Sequence, residues 1–538
     1  MRTLYTNATV YTGNGFESSF VVEDCRFAQV GKSNLVPGTD YDRCVDLKGQ
    51  FVCAGFNDSH MHLLSFANAL QTARLNEHTS SLKELIHYGR EFLQKNPKRP
   101  GEWLLGRGFH QDYFEDGCRI PEKEDLDQIS TEVPVLFTRA CGHCCVANSK
   151  ALLLANLSKD TEEVAGGRIG RNADGELNGQ FFDNAMELIQ SAIPLPAKEE
   201  IKKMIVSACK ELNRYGITSS QTDDYCVYRM IPYEVINEAY RELKEEGRLS
   251  VRVYEQCNFS EIEEFQRFLD QGNRTGDGDD FFRIGPLKML GDGSLGSRTA
   301  FLSVPYDDEP STRGFALYSD EKMNRMVEMA IQKRMQVAVH AIGDACLDQV
   351  LNAIEKAQKL YGGEERRHGI VHCQISRYDQ LDRIAKMHLH VYAQSIFLDY
   401  DNHIVETRVG RELAKSSYRW KTLMKHRVHV SNGSDAPVEI PDVMKGIQCA
   451  VTRCSLDGCG PYLKEEAFSV EEALRSFTCE GAYASFEEHE KGRIETGYLA
   501  DFVILSANPF ETDPLKIHTI EVLRTFLNGK EVYFREES

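Results

Sequence analysis

The sequence predicts an α/β protein: a (β/α)8 TIM-type barrel with a small β-sandwich domain built from both termini and a large insertion after strand one. Three observations predict it. Eight short strand-like runs alternate with helical patterns, six residues able to bind metal stand at or just past the ends of such runs, and both ends of the chain alternate apolar and polar residues.

Residues 1 to about 55 carry turn signals at Thr12-Gly13-Asn14-Gly15 and Pro37-Gly38 between alternating segments, which predicts antiparallel strands. The other end behaves alike, with strands over 497–505 and 523–533, the latter folding back at Asn528-Gly529. Pairing of the two ends assigns 1–55 and 486–538 to the small β domain and 56–485 to the barrel.

The barrel strands are expected at Phe51–Phe56, Gly216–Gln221, Val251–Gln256, Phe282–Met289, Gln336–His340, Gly369–His372, Leu389–Gln394 and Val428–Ser431. Spacing supports this register: His340 to His372 is 32 residues, one β/α unit, and His372 to Asp435 is 63, two units. The 52 residues from Lys288 to His340 leave room for one unit and a Gly- and Ser-rich loop. The interval from His62 to Gly216 is too long for one connection, so an inserted α/β subdomain is expected at about 70–195, with a helix over Leu82–Gln94 and a strand over Val133–Thr138.

At 538 residues, 41% hydrophobic and 27% charged, the chain has the composition of a globular protein with ample core. A formal net charge of −19 argues against polynucleotide partners. The start lacks an apolar signal core and no run approaches the ~20 residues of a membrane span, so no membrane association and a cytoplasmic location are expected. Sixteen scattered cysteines then read as buried, reduced thiols, and Cys454 with Cys459 lacks the second pair that a zinc ribbon needs.

His60 and His62 lie two apart at a strand end, so both imidazoles project from one face and can share a metal; Asn57-Asp58-Ser59 reads as the start of a rim loop. His340 and His372 end valine-rich strands one unit apart; singly each reads as a core histidine, but with the first pair they form a nitrogen-rich site suited to zinc, with iron or manganese as alternatives. Lys288 reads either as a member of a strained ion pair with Asp292 or as a carbon dioxide-derived carbamate bridging two metals, since an ammonium between two cations is repelled. Asp435 after Gly433-Ser434 on the last strand could ligate a metal and take a proton from its water.

The order His60, His62, Lys288, His340, His372, Asp435 on strands one, four, five, six and eight resembles the binuclear amidohydrolase superfamily. Within it, the chain is similar to the YtcJ-like branch that includes N-substituted formamide deformylases. The shared stretches are Ala54-Gly-Phe-Asn-Asp-Ser-His-Met-His62, Asp292-Gly-Ser-Leu-Gly-Ser-Arg-Thr-Ala300, His340-Ala-Ile-Gly-Asp344, Ser434-Asp-Ala-Pro437 and Gly497-Tyr-Leu-Ala-Asp-Phe-Val503, with Gly142-His143 and Val146 to Leu152 in the insertion. Ala54 in place of a common proline, and Cys144-Cys145 after His143, depart from the branch.

The resemblance implies a metal-dependent hydrolase of a C–N bond in an amide, N-substituted formamide or cyclic amide, holding one to two zinc ions, with attack by metal-bound hydroxide and Asp435 as general base. Its partner would be a small-molecule amide, with a homodimer left open. Substrate contacts are expected from His143, Arg298 and Gln394. Each has a structural alternative: His143 as an interior histidine capping Asn148, Arg298 paired with Asp292 or Asp307, and Gln394 touching water only. A mononuclear deaminase is disfavoured because His340 is followed by Ala-Ile-Gly-Asp rather than an early Glu, and a non-catalytic relative is disfavoured because all six ligands are present.

Overall fold

A computed structural model describes residues 1–31, 41–228 and 230–536, so the turn expected at Pro37-Gly38 lies outside the described residues. The chain divides into two compact units, one of residues 1–65 with 201–538, the other Phe66–Glu200.

In the first unit, eight strands form one parallel sheet in chain order: β1 (Phe56–Met61), β2 (Ile217–Thr222), β3 (Arg252–Asn258), β4 (Phe282–Leu290), β5 (Val337–Ala341), β6 (Gly369–His372), β7 (His390–Ala393) and β8 (Val430–Asn432). The sheet closes just past its first and last strands. Asp435 N–H donates to His60 O at 2.9 Å and His62 N–H donates to Ala436 O at 2.8 Å. Helices such as Asp320–Gln332 and Asp344–Tyr361, whose apolar stripes are buried, alternate with the strands.

Gly433 permits the closure. A Cβ there would stand 2.5 Å from His60 N and 2.6 Å from His60 O, a contact with backbone that no rotamer change relieves. Gly433→Ala is therefore expected to cost about 1–3 kcal/mol of stability. A thermal or denaturant midpoint equal to that of the parent chain would contradict this.

The first barrel strand differs from expectation. Phe51–Ala54 belongs to a different sheet, pairing antiparallel with Phe502–Leu505 and parallel with Thr9–Tyr11, and β1 starts only after Gly55. Asn57, Asp58 and Ser59 thus lie inside β1, fully buried, rather than in a rim loop. Asp58 is tolerated there because it accepts from Ser434 Oγ (2.5 Å), Ser434 N (3.0 Å) and His60 N (3.3 Å), tying β1 to the loop after β8. Burial nevertheless pushes its carboxyl up to about 7.

The two chain ends supply two further sheets. One has four strands, Arg26–Gly31, Ser19–Glu23, Arg2–Thr6 and Arg43–Asp46; the other has six, Lys530–Phe534, Val522–Leu527, Phe502–Leu505, Phe51–Ala54, Thr9–Tyr11 and Phe16–Glu17. Tyr5, Phe20 and Phe27 of the first meet Val52, Phe502 and Phe526 of the second in one apolar cluster. Asn528 and Gly529, at φ +52° and +69°, join the last two strands with the left-handed backbone that such a tight turn requires.

The second unit holds a six-stranded mixed sheet, running Gly167–Arg171, Leu177–Asp183, Cys144–Ala147, Val135–Arg139, Leu104–Phe109 and Ala73–Arg74, with two separate apolar clusters. Its helix Leu82–Lys95 begins at Ser81, whose side chain accepts from Glu84 N. Among the described residues, no helix is long and apolar enough to cross a membrane. All sixteen cysteines are unpaired, but Cys44, Cys118, Cys141 and Cys459 are exposed, which corrects the expectation that they are buried throughout.

Candidate metal centre

The C-terminal ends of β1, β5 and β6 bring four imidazoles into one chain of edge-to-face contacts. Ring centroids are 5.3 Å apart for His62 and His60, 5.5 Å for His60 and His372, and 4.5 Å for His372 and His340. Asp435 enters from the loop three residues beyond β8, rather than from the strand itself. Ligand atoms of His60, His372 and Asp435 all lie within 4.8 Å of one another, and all three residues are buried.

Two glutamines decide which nitrogens face that point. His60 Nδ1 contacts Gln256 Oε1 at 2.9 Å, and Gln256 Nε2 donates to Ser59 O at 3.3 Å. His372 Nδ1 contacts Gln394 Oε1 at 2.6 Å, and Gln394 Nε2 donates to Tyr392 O at 3.0 Å. Each amide nitrogen is committed to a backbone carbonyl, so each amide oxygen accepts from the ring, placing the imidazole proton on Nδ1 and the lone pair on Nε2. His60 Nε2 is buried without a hydrogen bond, 3.3 Å from Asp435 Oδ1.

The charge states agree with this. Burial is the main cause holding His372 well below the usual histidine range, and burial with Lys288 lowers His60, so both are neutral donors. Burial would raise Asp435, but the hydrogen bond from His62 and the His62 charge hold it well below the usual carboxylate range. His372 and Asp435 both adopt left-handed backbone, at φ +75° and +58°, conformations that are retained against local strain where the surrounding structure enforces them.

The other three residues stand beside this cluster with partners of their own. His62 spans two carboxylates, Nδ1 to Asp223 and Nε2 to Asp435 Oδ1 at 3.0 Å. Burial opposes its charge, yet Asp223 and Asp435 raise it well above the usual range, so ligation would require it to lose a proton. His340 Nε2 lies 3.1 Å from Gly293 O and 3.2 Å from Asp292 Oδ1, leaving Nδ1 as its ligand atom. Lys288, fully buried on β4, donates from Nζ to Asp223 Oδ2 at 3.1 Å.

Asp223 therefore replaces Asp292 as the partner of Lys288. Asp292 is occupied instead by the N–H groups of Gly343 (2.8 Å), Phe301 (2.8 Å) and Ile342 (3.1 Å), which pin the loop after β4 to the start of the helix after β5. Arg298 is held by Asp308, with Nε to Oδ1 at 3.0 Å and Nη2 to Oδ2 at 2.9 Å, rather than by Asp292 or Asp307. His143 is exposed and pairs with Asp183 Oδ1 at 3.0 Å; Asn148 caps its own helix without it, so the interior-cap alternative fails. Gln394 holds the His372 ring.

Asp223 and Gln256 were not among the six expected residues. Asp223 directly follows β2 and Gln256 lies near the end of β3, the rim where barrel sites form, and that position is the signal that points to them. Gln394→Leu is expected to weaken metal binding about 10–100-fold by freeing the His372 ring. Chelator competition showing unchanged affinity would remove this role.

The donor set fits a divalent cation: two neutral imidazole nitrogens with lone pairs turned inward, one ionised carboxylate, and a buried orphan nitrogen among them. The profile of the Amidohydrolase family matches residues 43–533. YtcJ of Bacillus subtilis (strain 168), named provisionally as an amidohydrolase, is 33% identical over 491 residues, 91% of this chain and 90% of its own. The N-substituted formamide deformylase of Arthrobacter pascens is 24% identical over 542 residues, 98% of this chain and 97% of its own. A crystal structure of an uncharacterized metal-dependent hydrolase from Pyrococcus horikoshii OT3 superposes with a TM-score of 0.78 at 28% identity, covering 96% of this chain and 99% of that one. Matched along nearly its whole length, with a histidine–carboxylate cluster at the rim of a parallel barrel, the chain belongs to the amidohydrolase family and is a metal-dependent hydrolase acting on carbon–nitrogen bonds.

Proposed function

We propose that the protein hydrolyses a small amide, an N-substituted formamide or a cyclic amide, with Asp435 as general base. The observation that carries this is the convergence of His60, His372 and Asp435. Similarity to the Arthrobacter pascens deformylase supports the formamide class. Zinc is the proposed metal because imidazole and carboxylate ligands suit it.

His60, His372 and Asp435, with His62, His340 and a carbamate on Lys288 beside them, would hold one or two divalent cations. A divalent cation there supplies a Lewis acid for the amide oxygen and lowers the pKa of coordinated water from about 15.7 towards about 7. Asp435 accepts the proton of the attacking water as the C–O bond forms, and then gives it to the amine nitrogen as the C–N bond breaks. The Nζ of a Lys288 carbamate keeps one hydrogen, and the 3.1 Å contact with Asp223 Oδ2 suits that donor. Arg298, released from Asp308, and His143 are the proposed substrate contacts, tested by KM increases in Arg298→Ala and His143→Ala. The unpaired cysteines support a reducing, cytoplasmic compartment.

Elemental analysis of purified protein should find one to two equivalents of divalent metal, mostly zinc, and the metal-loaded protein should release amine from at least one of a panel of N-formyl, N-acetyl and cyclic amides. Metal-free protein that zinc, manganese and iron all fail to activate would overturn the reading.

A further inference from the structure

In the inserted unit, the stretch Cys141-Gly142-His143-Cys144 places two thiols on either side of a bend. Gly142 N–H donates to Arg139 O at 2.9 Å, and Gly142 itself has φ +74°, a left-handed backbone that glycine adopts without a Cβ clash. Cys144 then enters the strand Cys144–Ala147 opposite Phe182. Cys141 and Cys144, three residues apart with the left-handed Gly142 between them, are near enough in sequence for the short Cα separation that a disulfide demands.

The two thiols differ in surroundings. Cys141 is exposed, and His143 N–H points at its Sγ at 3.4 Å. Cys144 is only 3% exposed. We propose that Cys141 and Cys144 are a reversible dithiol–disulfide site, with Cys141 as the attacking thiol, Cys144 as the resolving thiol, and a low-molecular-weight disulfide of the glutathione class as oxidant.

The chemistry balances in two exchanges. The Cys141 thiolate attacks one sulfur of the small disulfide, an S–S bond forms to Cys141, and the other half leaves as a thiolate that takes up the proton Cys141 gave up. Cys144 then loses its proton and attacks Cys141 Sγ, expelling the second small thiol. The protein dithiol is oxidised and one small disulfide is reduced to two thiols.

Electrostatics suit these roles. Slight burial would raise the Cys141 thiol, but the His143 N–H and the Arg139 guanidinium together bring it below its ordinary value. Burial, reinforced by negative charge on Cys141, pushes Cys144 up to about 12, the asymmetry expected of an attacking thiol and a protected resolving one. Disulfides in reducing compartments are commonly transient ones of this kind.

The test uses the full-length protein equilibrated with mixtures of reduced and oxidised glutathione, then alkylated and mapped by peptide mass spectrometry. Cys141 should alkylate on the order of tenfold faster at neutral pH than the other exposed thiols, Cys44, Cys118 and Cys459. A peptide linking Cys141 to Cys144 should appear while those three remain reduced. Cys144→Ser should accumulate glutathione on Cys141, and Cys141→Ser should leave Cys144 reduced. Equal alkylation rates among the four exposed thiols, a bond from Cys141 to Cys118 or Cys145, or glutathione on Cys144 in Cys141→Ser would each overturn the proposal; the rates and the map come from the unmutated chain, so they stand even if a variant misfolds.

Discussion

Asp435→Asn is expected to keep most of its bound metal while kcat falls by about 10²–10⁴. An asparagine still presents one oxygen to the cluster, in place of the Oδ1 that lies 3.3 Å from His60 Nε2 and 3.0 Å from His62 Nε2. It has no basic site for the proton of water. The fold should survive, because the barrel is closed by backbone contacts, the N–H of residue 435 to His60 O and His62 N–H to Ala436 O, and asparagine tolerates the φ of +58° about as well as aspartate. Kinetics, metal content and a thermal melt on one preparation separate the effects. Activity within tenfold of the parent, with metal retained, would remove Asp435 as the base.

Much of the barrel was legible because parallel β/α units repeat a period. His340, His372 and Asp435 fall one and two units apart, so their common rim follows from spacing alone. The first strand was misplaced for a physical reason: only Gly55 separates the strand Phe51–Ala54 of the six-stranded sheet from β1, so two strands of different sheets read as one apolar run. Asn57, Asp58 and Ser59 then looked like a loop, since a sequence does not reveal that Ser434, hundreds of residues away, satisfies a buried Asp58. The same limit hid Gln256 and Asp223. Their roles exist only through contacts with His60, His62 and Lys288 across the barrel, whereas the candidate ligands announce their chemistry by residue type.

Lys288→Ala is expected to lower metal content and to cut kcat by at least about 100-fold, and short-chain carboxylates such as acetate or propionate should restore part of both. Two physical roles predict the loss, and they separate on the rescue. As an ammonium, Lys288 neutralises Asp223, and its removal leaves a buried carboxylate with His62 and the Asn258 amide as its remaining partners. Breaking a buried pair in this way costs about 3–5 kcal/mol, less here to the extent that His62 compensates. Pairing the change with Asp223→Asn should then recover stability and metal binding, and added carboxylate should do nothing. As a carbamate, Lys288 supplies an anion rather than cancelling one. Asp223→Asn then restores nothing, while a small carboxylate entering the space left by the lysine supplies the missing oxygens. Carboxylate rescue of Lys288→Ala without rescue by Asp223→Asn carries the bridging role; the reverse pattern leaves a site built on His60, His372 and Asp435, with Lys288 as counter-ion to Asp223.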